Sequence, residues 1–572
     1  MILSAIIFIP ILAALAMLAL PRHDRLFARI IPLGATFATL ALSVLMFLRF
    51  NGAEEGYGGY RFVQQIPWVE SLGISYFVGV DGINVGLILM GAIVAFAATC
   101  VSWEISHREK EFYVLLLLMT GGILGAFASL DLFFFYFFHE LALVPTFIMI
   151  GVWGRGADKN YATFQITLYL SAGALIALVG LIALYLAAPV RTFDIVALTE
   201  AVKAMPIESR AQNCIFPLLM FGFGILVSLW PFHTWAPLGY GSAPTATAML
   251  HAGVLKKFGL YGLIRIALPM LPEGASNWLH VMAFLCLGNI LYCGLVAIRQ
   301  KDLNLLIGNS SVAHMGFVFL GIASVSLIGI TGAVMVMIAH GLLAALSFGL
   351  SGYLYQQTNT LEMARLGGLL RQMPFIGAAL IMAMLAGCGL PGFANFAGEA
   401  MVLFGAWEEP GLRFAVVVAA WGALVIGAVY MMRAVRSVLH GPAKSEWDMA
   451  VDAGDAWRRL PFALLLAGLL VFGFFPRLLT DKIKASVEPI VEMATSVRLS
   501  GPQGRGLVQI PNSKFQIPRN DQTPNSSQKS RPVAAAGNWN LNVPWNLERE
   551  VWNLPSGTAA PAVHSVRSLE SR

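Results

Sequence analysis

The sequence predicts an all-α polytopic membrane protein with about fourteen transmembrane helices. Two observations carry this prediction. The chain has 572 residues, of which 58% are hydrophobic and 12% charged, and its mean hydropathy is +0.73, whereas soluble domains carry about 25% charged residues. Apolar stretches of roughly twenty residues also recur as far as about position 480, and each is long enough to cross a hydrocarbon core of about 30 Å as a helix.

The apolar stretches define the predicted spans in chain order. The first, residues 3–20, has no basic region before it and no small-residue cleavage site, so we expect a retained helix rather than a secretory signal. The later spans are expected at 28–49, 77–102, 112–130, 132–154, 163–187, 214–240, 243–271, 277–298, 303–324, 328–355, 374–408, 413–438 and 460–477.

Basic residues concentrate in alternate loops, for example at Arg108, Arg299 and Arg458. Loops rich in lysine and arginine face the cytoplasm. The sequence therefore predicts a multi-pass protein of the cell (inner) membrane whose N-terminus lies outside the cytoplasm.

Two predicted spans are interrupted at related places. Prolines interrupt SLWPFHTWAP at Pro231 and Pro237, and a Gly-Leu-Pro-Gly run interrupts CGLPGFANFAGE around Pro391. Broken helices in corresponding halves indicate inverted repeats, although ordinary proline kinks would leave the same marks. We expect two inverted five-helix repeats, each with a broken helix, at 112–271 and 277–438.

The other regions are expected to have distinct roles. Residues 1–111 contain three leading transmembrane helices, and 439–496 contain a cytoplasmic loop and the last transmembrane helix. Residues 497–572 are rich in Pro, Ser, Asn, Gln and Arg with few aliphatic side chains. That composition predicts a polar, disordered tail.

Six of the titratable residues inside the predicted spans are singled out, since one charged side chain there costs roughly 2.5 to 3.5 kcal/mol on insertion scales. Such residues are functional candidates by default. A buried lysine can switch its protonation and histidine titrates near neutral pH, but a lysine can also pair or snorkel and a membrane histidine can simply bond a neighbouring helix. Together they predict a proton pathway formed by Glu140, Lys256, Lys257, His314, His340 and Glu399.

A seventh polar residue, His233, lies at the first break. We expect it to bond backbone carbonyls that the break leaves unpaired.

The motifs for cofactors are missing from the sequence. The chain has no GxGxxG after a strand, no Walker-type GxxxxGK[ST], and five cysteines without a CxxC pair. The prediction is therefore that this chain carries no cofactor, metal or catalytic redox site of its own, and that it does not bind nucleic acid.

Several segments in a fixed order resemble one family, the antiporter-like membrane subunits shared by complex I and the multi-subunit cation/proton antiporters. The resemblance covers roughly residues 75–440, in VGVDGINVGL, FFYFFHELALVPTF, PFHTWAP, SAPTATAMLHAGVLKKFGLYGLIR, NSSVAHMGFVFLGI, MIAHGLLAALSFGLSGYLY and GLPGFANFAGEAMVLFG. Within the family, the carboxylate of NFAGE, Glu399 here, is similar to that of chain M of NADH:quinone oxidoreductase.

The resemblance implies roles for individual residues. In the family pattern Glu140 modulates a lysine, Lys257 is the central proton carrier, and His314 and His340 line the route to Glu399. It also implies partner subunits that hold FMN and iron-sulfur clusters and reduce quinone.

The chain departs from the family pattern in its first half. Leu226 stands where the family has a lysine before PFHTW, and Leu238 and Tyr240 replace an acid and a histidine after it. Lys256 is an additional lysine that could supply the missing charge.

We expect a proton-translocating subunit coupled to NADH:quinone electron transfer in partner subunits. The alternatives are a subunit of a multi-subunit sodium/proton antiporter, a subunit of a membrane-bound hydrogenase or related dehydrogenase, and a membrane-arm subunit that has lost transport.

Overall fold

The computed structural model describes residues 1–500 except Leu20, Arg22, His23, Ala443, Lys444 and Asp448. In this part of the chain, eleven helices are long and apolar enough to cross a membrane. The predicted tail at 497–572 falls outside the described residues, apart from 497–500, which end the last helix.

The N-terminal half contains long helices and one hairpin. Its elements are α1 (Ile2–Leu18), α2 (Arg25–Arg49), β1 (Arg61–Val69), β2 (Ile74–Val80), α3 (Asn84–Val101), α4 (Glu109–Ala128), α5 (Leu132–Trp153), α6 (Lys159–Ala187), α7 (Ile195–Ala204), α8 (Ser209–Val227), α9 (Trp235–Ser242), α10 (Thr245–Gly253) and α11 (Phe258–Gly262). A π-helical segment, Leu263–Ala267, continues from α11.

The C-terminal half contains a second set of long helices. They are α12 (Pro272–Arg299), α13 (Leu303–Ala323), α14 (Leu327–Thr358), α15 (Pro374–Gly387), α16 (Ala394–Trp407), α17 (Pro410–Leu439), α18 (Ala456–Phe474) and α19 (Arg477–Ser500). Helices α3, α13 and α14 are almost completely buried, whereas α2, α6 and α18 expose much of their surface. The titratable residues of α13 and α14 therefore lie at the centre of the bundle.

Both predicted breaks are present. Helix α8 ends at Val227, the next residue, Ser228, has a left-handed φ of 70°, and the chain turns through Pro231 before α9 begins. Between α15 and α16, Gly389 and Gly392 adopt φ values of 68° and 102°, which glycine tolerates at little cost. Each break leaves backbone carbonyls free to bind side chains.

The two five-helix units share a second feature besides the broken helix. At the start of α5, Leu132 N donates to Phe193 O at 2.8 Å. At the start of α13, Leu303 N donates to Leu361 O at 3.0 Å. In both units the second helix is thus tied to the segment that follows the third. Five membrane crossings separate the start of α4 from the start of α12, so the two units run in opposite directions. The limits of the two units, 112–271 and 277–438, stay a prediction.

The sequence analysis did not identify two elements of the structure. Strands β1 and β2 form an antiparallel hairpin, so the third span begins at Asn84 rather than at 77. Ser4 and Tyr76 are hydrogen-bonded at 2.8 Å, which places the hairpin beside the N-terminal end of α1. Helix α19 follows the last span and packs on the same face, where Gly82 N donates to Ser486 Oγ at 2.9 Å.

Candidate functional site

The centre of the candidate site is Lys257, which lies in a tight turn between α10 and α11. Its side chain is completely buried. The Nζ atom lies 2.9 Å from His340 Nδ1 on α14 and 2.5 Å from the carbonyl oxygen of Ala252. The interruption of the helix directs the ammonium group to α14, so Lys257 and His340 are in direct hydrogen-bond contact.

The second step leads from His340 to His314 on α13. The two imidazole rings have centroids 5.5 Å apart. His314 Nδ1 lies 2.8 Å from Ser310 O, and its Nε2 lies 3.2 Å from Gly387 O at the break between α15 and α16. Both ring nitrogens therefore lie within hydrogen-bond distance of carbonyl oxygens.

The third step leads from His314 to Glu399. His314 Nε2 is 3.7 Å from Glu399 Oε1. A small cavity of ≈ 10 Å³ lies beside this pair and is lined by Cys388 and Tyr430 among others. That volume is about the size of one water molecule, so water can bridge the imidazole and the carboxylate.

Lys256 points in a different direction from its neighbour. Its Nζ lies 3.4 Å from both Ser311 O and Ser311 Oγ on α13 and 5.6 Å from the centre of the Tyr240 ring. Adjacent residues near a helix project about 100° apart. Lys256 therefore lies to one side of the contacts between Lys257, His340, His314 and Glu399.

Glu140 is not in contact with either lysine. Its side chain is 34% exposed, and its Oε1 lies 3.7 Å from Nδ1 of the adjacent His139. Leu226 is buried, so the position where the family has a lysine is filled by an apolar side chain. The structure thus brings together Lys257, His340, His314 and Glu399, and leaves Glu140 separate.

The sequence analysis missed two histidines near Glu140 and Lys256. His139 is buried and its ring stacks on Phe258 at 4.0 Å. His251 is also buried and lies 5.4 Å from the Tyr240 ring. Both stand inside the segments quoted for the family resemblance, where only the intramembrane rule for titratable residues could have singled them out.

His233 lies at the first break, as the sequence indicates. Its Nδ1 is 3.2 Å from the carbonyl oxygen of Pro231. This bond satisfies a carbonyl that the interrupted helix leaves free.

A buried ion pair anchors the element that carries Lys257. Arg265 Nη2, in the π-helical segment after α11, lies 2.6 Å from Asp81 Oδ2. Asp81 Oδ1 also accepts the N–H groups of Ile83 and Asn84 at the start of α3. The pair holds the end of this span that lies near the β-hairpin against the start of α3.

The arrangement of these groups is suited to proton transfer. Ammonium, imidazole and carboxylate groups follow one another at distances that a direct bond or one water can span. Among the described residues, no group of three His, Cys, Asp or Glu side chains is placed to hold a metal ion. Polar side chains such as Ser310 and Tyr430 lie beside these groups.

Comparisons with known proteins identify the relatives of this chain. Residues 129–427 match the family described as NADH:quinone oxidoreductase/Mrp antiporter, TM. The chain is 34% identical over 503 residues to NAD(P)H-quinone oxidoreductase chain 4 1 of Nostoc, a match that covers 86% of this chain and 92% of that relative. It is 33% identical over 505 residues to NADH-quinone oxidoreductase subunit M of Rhodobacter capsulatus, covering 86% and 96%.

A solved structure gives the same result. A chain in respiratory complex I from Thermus thermophilus with bound NADH superposes with a TM-score of 0.77 at 27% identity, over 86% of this chain and 100% of that one. The chain belongs to the NADH:quinone oxidoreductase/Mrp antiporter transmembrane family.

Proposed function

We propose that this chain is a proton-translocating membrane subunit of an NADH:quinone oxidoreductase, of the subunit M type. One observation carries the proposal: Lys257, His340, His314 and Glu399 form a continuous series of titratable contacts across the centre of the bundle. Each titratable side chain inside the membrane costs free energy. A series of them in contact is therefore better explained by proton transfer than by a packing role.

The proposed mechanism uses small changes in electrostatic environment. A change of about 1.4 kcal/mol in the interaction of one group shifts its pKa by one unit. Electron transfer to quinone in partner subunits alters the charges that act on Lys257. Its proton then moves to His340, and from there through His314 to Glu399. The charge of Glu140, at the side of the bundle, modulates the pKa of the lysine in the first unit.

The proposal includes partners and location. FMN, iron-sulfur clusters and the quinone site belong to partner subunits, and this chain contributes neither a cofactor nor a redox site. The side chain of Glu140 is partly exposed among apolar neighbours on α5, a surface suited to another membrane subunit. We place the protein in the cell (inner) membrane with its N-terminus outside the cytoplasm.

Two substitutions test the proposal. In the purified complex reconstituted in vesicles, Lys257→Ala and Glu140→Gln are expected to lower proton pumping while the complex still assembles, because each removes a titratable group. Pumped protons per NADH are measured with a pH-sensitive dye. Unchanged stoichiometry in both variants would refute the proposal.

The second candidate function is a subunit of a multi-subunit sodium/proton antiporter. It is retained because the matching family includes Mrp antiporters. Purification of the tagged chain from gently solubilised membranes separates the two functions. Co-purified flavin and iron-sulfur subunits with NADH:quinone activity support the first, whereas small antiporter subunits without a redox centre support the second.

A further inference from the structure

A group of buried polar atoms in the first five-helix unit has no hydrogen-bond partner among the described residues. It comprises His139 Nδ1 on α5, Tyr240 OH on α9 and His251 Nδ1 on α10. All three side chains are at most 2% exposed. Buried polar groups are normally paired with protein or with ordered water, so three unpaired groups in one region require an explanation.

One of the three side chains lies beside Glu140, and the other two lie near Lys256. His139 is adjacent to Glu140, with 3.7 Å between the imidazole Nδ1 and the carboxylate Oε1. The Tyr240 and His251 rings are 5.4 Å apart, and Lys256 Nζ lies 5.6 Å from the Tyr240 ring. The group therefore has a carboxylate at one end and an ammonium at the other.

The helices that carry these residues pack directly on each other. Thr247 Oγ1 on α10 lies 3.7 Å from Met149 Sδ on α5. The His139 ring stacks on Phe258, which follows Lys257 in the chain. The two histidines thus lie on helices that pack against each other.

Water is the partner that fits these atoms. An imidazole nitrogen and a phenol hydroxyl each bond water, and buried water typically bonds about three otherwise unsatisfied polar groups. A neutral imidazole accepts a proton at one nitrogen and releases another from the opposite nitrogen. Histidine can therefore carry a proton between two waters, whereas leucine at position 226 cannot.

We propose that His139, Tyr240 and His251 hold water between Glu140 and Lys256, and that the two histidines carry protons along this route. The inference rests on the proposed proton-translocating function and adds a path to it. Glu140 then reaches the centre of the bundle through His139, water, His251 and Lys256. No lysine at position 226 is needed for that connection.

The first test uses the whole complex in vesicles, with histidine replaced by a polar residue that does not titrate. His139→Asn and His251→Asn retain the ability to bond water but cannot carry a proton. Each is expected to lower the proton-pumping rate by about a hundredfold, since a positioned proton-transfer group typically contributes at least that much. Tyr240→Phe, which removes only the hydroxyl, is expected to have a smaller effect.

His233→Asn is the matched control, because His233 is also buried but already bonds the carbonyl of Pro231. Its pumping rate is expected to stay unchanged. If the Asn variants pump normally while Lys257→Ala and Glu399→Gln do not, the histidine route is wrong and the proposed function stands. If all four variants pump normally, both are wrong.

A second measurement does not depend on whether the variants assemble. A structure of the unaltered complex, at a resolution that shows ordered water, is expected to contain water within hydrogen-bond distance of His139 Nδ1 and His251 Nδ1. Protein side chains from a partner subunit in those positions, or imidazole nitrogens without any water neighbour, would overturn the inference.

Discussion

The two five-helix units have the same backbone plan but different chemistry. Each has a broken fourth helix, and each ties the start of its second helix to the segment after the third. Their fifth helices both contain a π-helical segment, Leu263–Ala267 in the first unit and Gly422–Gly427 in the second. The series from His340 to Glu399 lies in the second unit in close contact, whereas Glu140 in the first lies apart from both lysines.

This difference shows that the fold and the proton chemistry are specified by different residues. The backbone plan depends on helix caps, breaks and glycine positions, which both units retain. The family's lysine position holds an apolar side chain here, the buried Leu226, without a change of the backbone plan. A proton route can therefore change its residues within one unit without any change of fold.

The largest expected effect concerns how the fifth helix of each unit is held. Asp81→Ala leaves Arg265 buried without its carboxylate, which is expected to cost about 3–5 kcal/mol. The counterpart in the second unit is Arg433, whose Nη1 donates to Ile298 O and Gln300 O at 2.7 and 2.8 Å. Arg433→Ala is expected to cost less, about 1–3 kcal/mol, because no charge is stranded.

The measurement is the midpoint temperature of thermal unfolding of the purified complex. The double variant Asp81→Ala/Arg265→Met is expected to regain part of the loss, since removal of both charges leaves neither one unpaired. A double variant less stable than Asp81→Ala alone would contradict this account of the pair.

The next effect compares the two acidic residues of the proposed pathway. Glu399→Gln is expected to lower the pumping rate about a hundredfold, because Glu399 follows His314 directly and proton transfer by a positioned group typically contributes that much. Glu140→Gln is expected to lower it about tenfold, because Glu140 is more exposed and acts from the side. Proton uptake by reconstituted vesicles measures both, and a stronger effect for Glu140 would reverse the ranking of the two units.

The smallest effect concerns the helix caps that the two units share. Asp131 Oδ1 accepts the N–H groups of Phe133 and Phe134, and its Oδ2 accepts that of Ser75 in the hairpin. Asp302 accepts the N–H of Leu305 at the start of α13. We expect Asp131→Ala to cost about 2 kcal/mol and Asp302→Ala about 1 kcal/mol. Equal shifts in the midpoint of thermal unfolding would show that the hairpin bond adds nothing.

Much of the fold could be predicted from the sequence because its signals are local. Hydropathy gave the helical, multi-pass architecture, and proline and glycine runs marked both breaks. The hairpin was missed since its short strands, Arg61–Val69 and Ile74–Val80, join two apolar spans without a turn signal strong enough to separate them. Helix α19 was not predicted because its many charged residues lower the hydropathy of the segment. Its buried apolar face consists of Leu479, Ile483 and Val487.

The candidate site was predicted as a set of residues but not as a set of contacts. The free-energy cost of a titratable side chain inside the membrane identified six residues individually. The family resemblance suggested the order in which a proton would pass along them. The six are Glu140, Lys256, Lys257, His314, His340 and Glu399. Spacing along the chain could not decide which lysine meets a histidine. In the structure Lys257 reaches His340 and Lys256 reaches Ser311, because the turn at 255–257 sends their side chains to different helices.

The sequence by itself determined that this chain crosses the membrane many times, where two of its helices break, and to which family it belongs. Those properties depend on composition and on residues close together in the chain. Only the tertiary structure decided that Lys257, His340, His314 and Glu399 come into contact, and that Glu140 lies apart from them. Contacts between helices depend on helix rotation and packing, to which residues far apart in the chain contribute jointly.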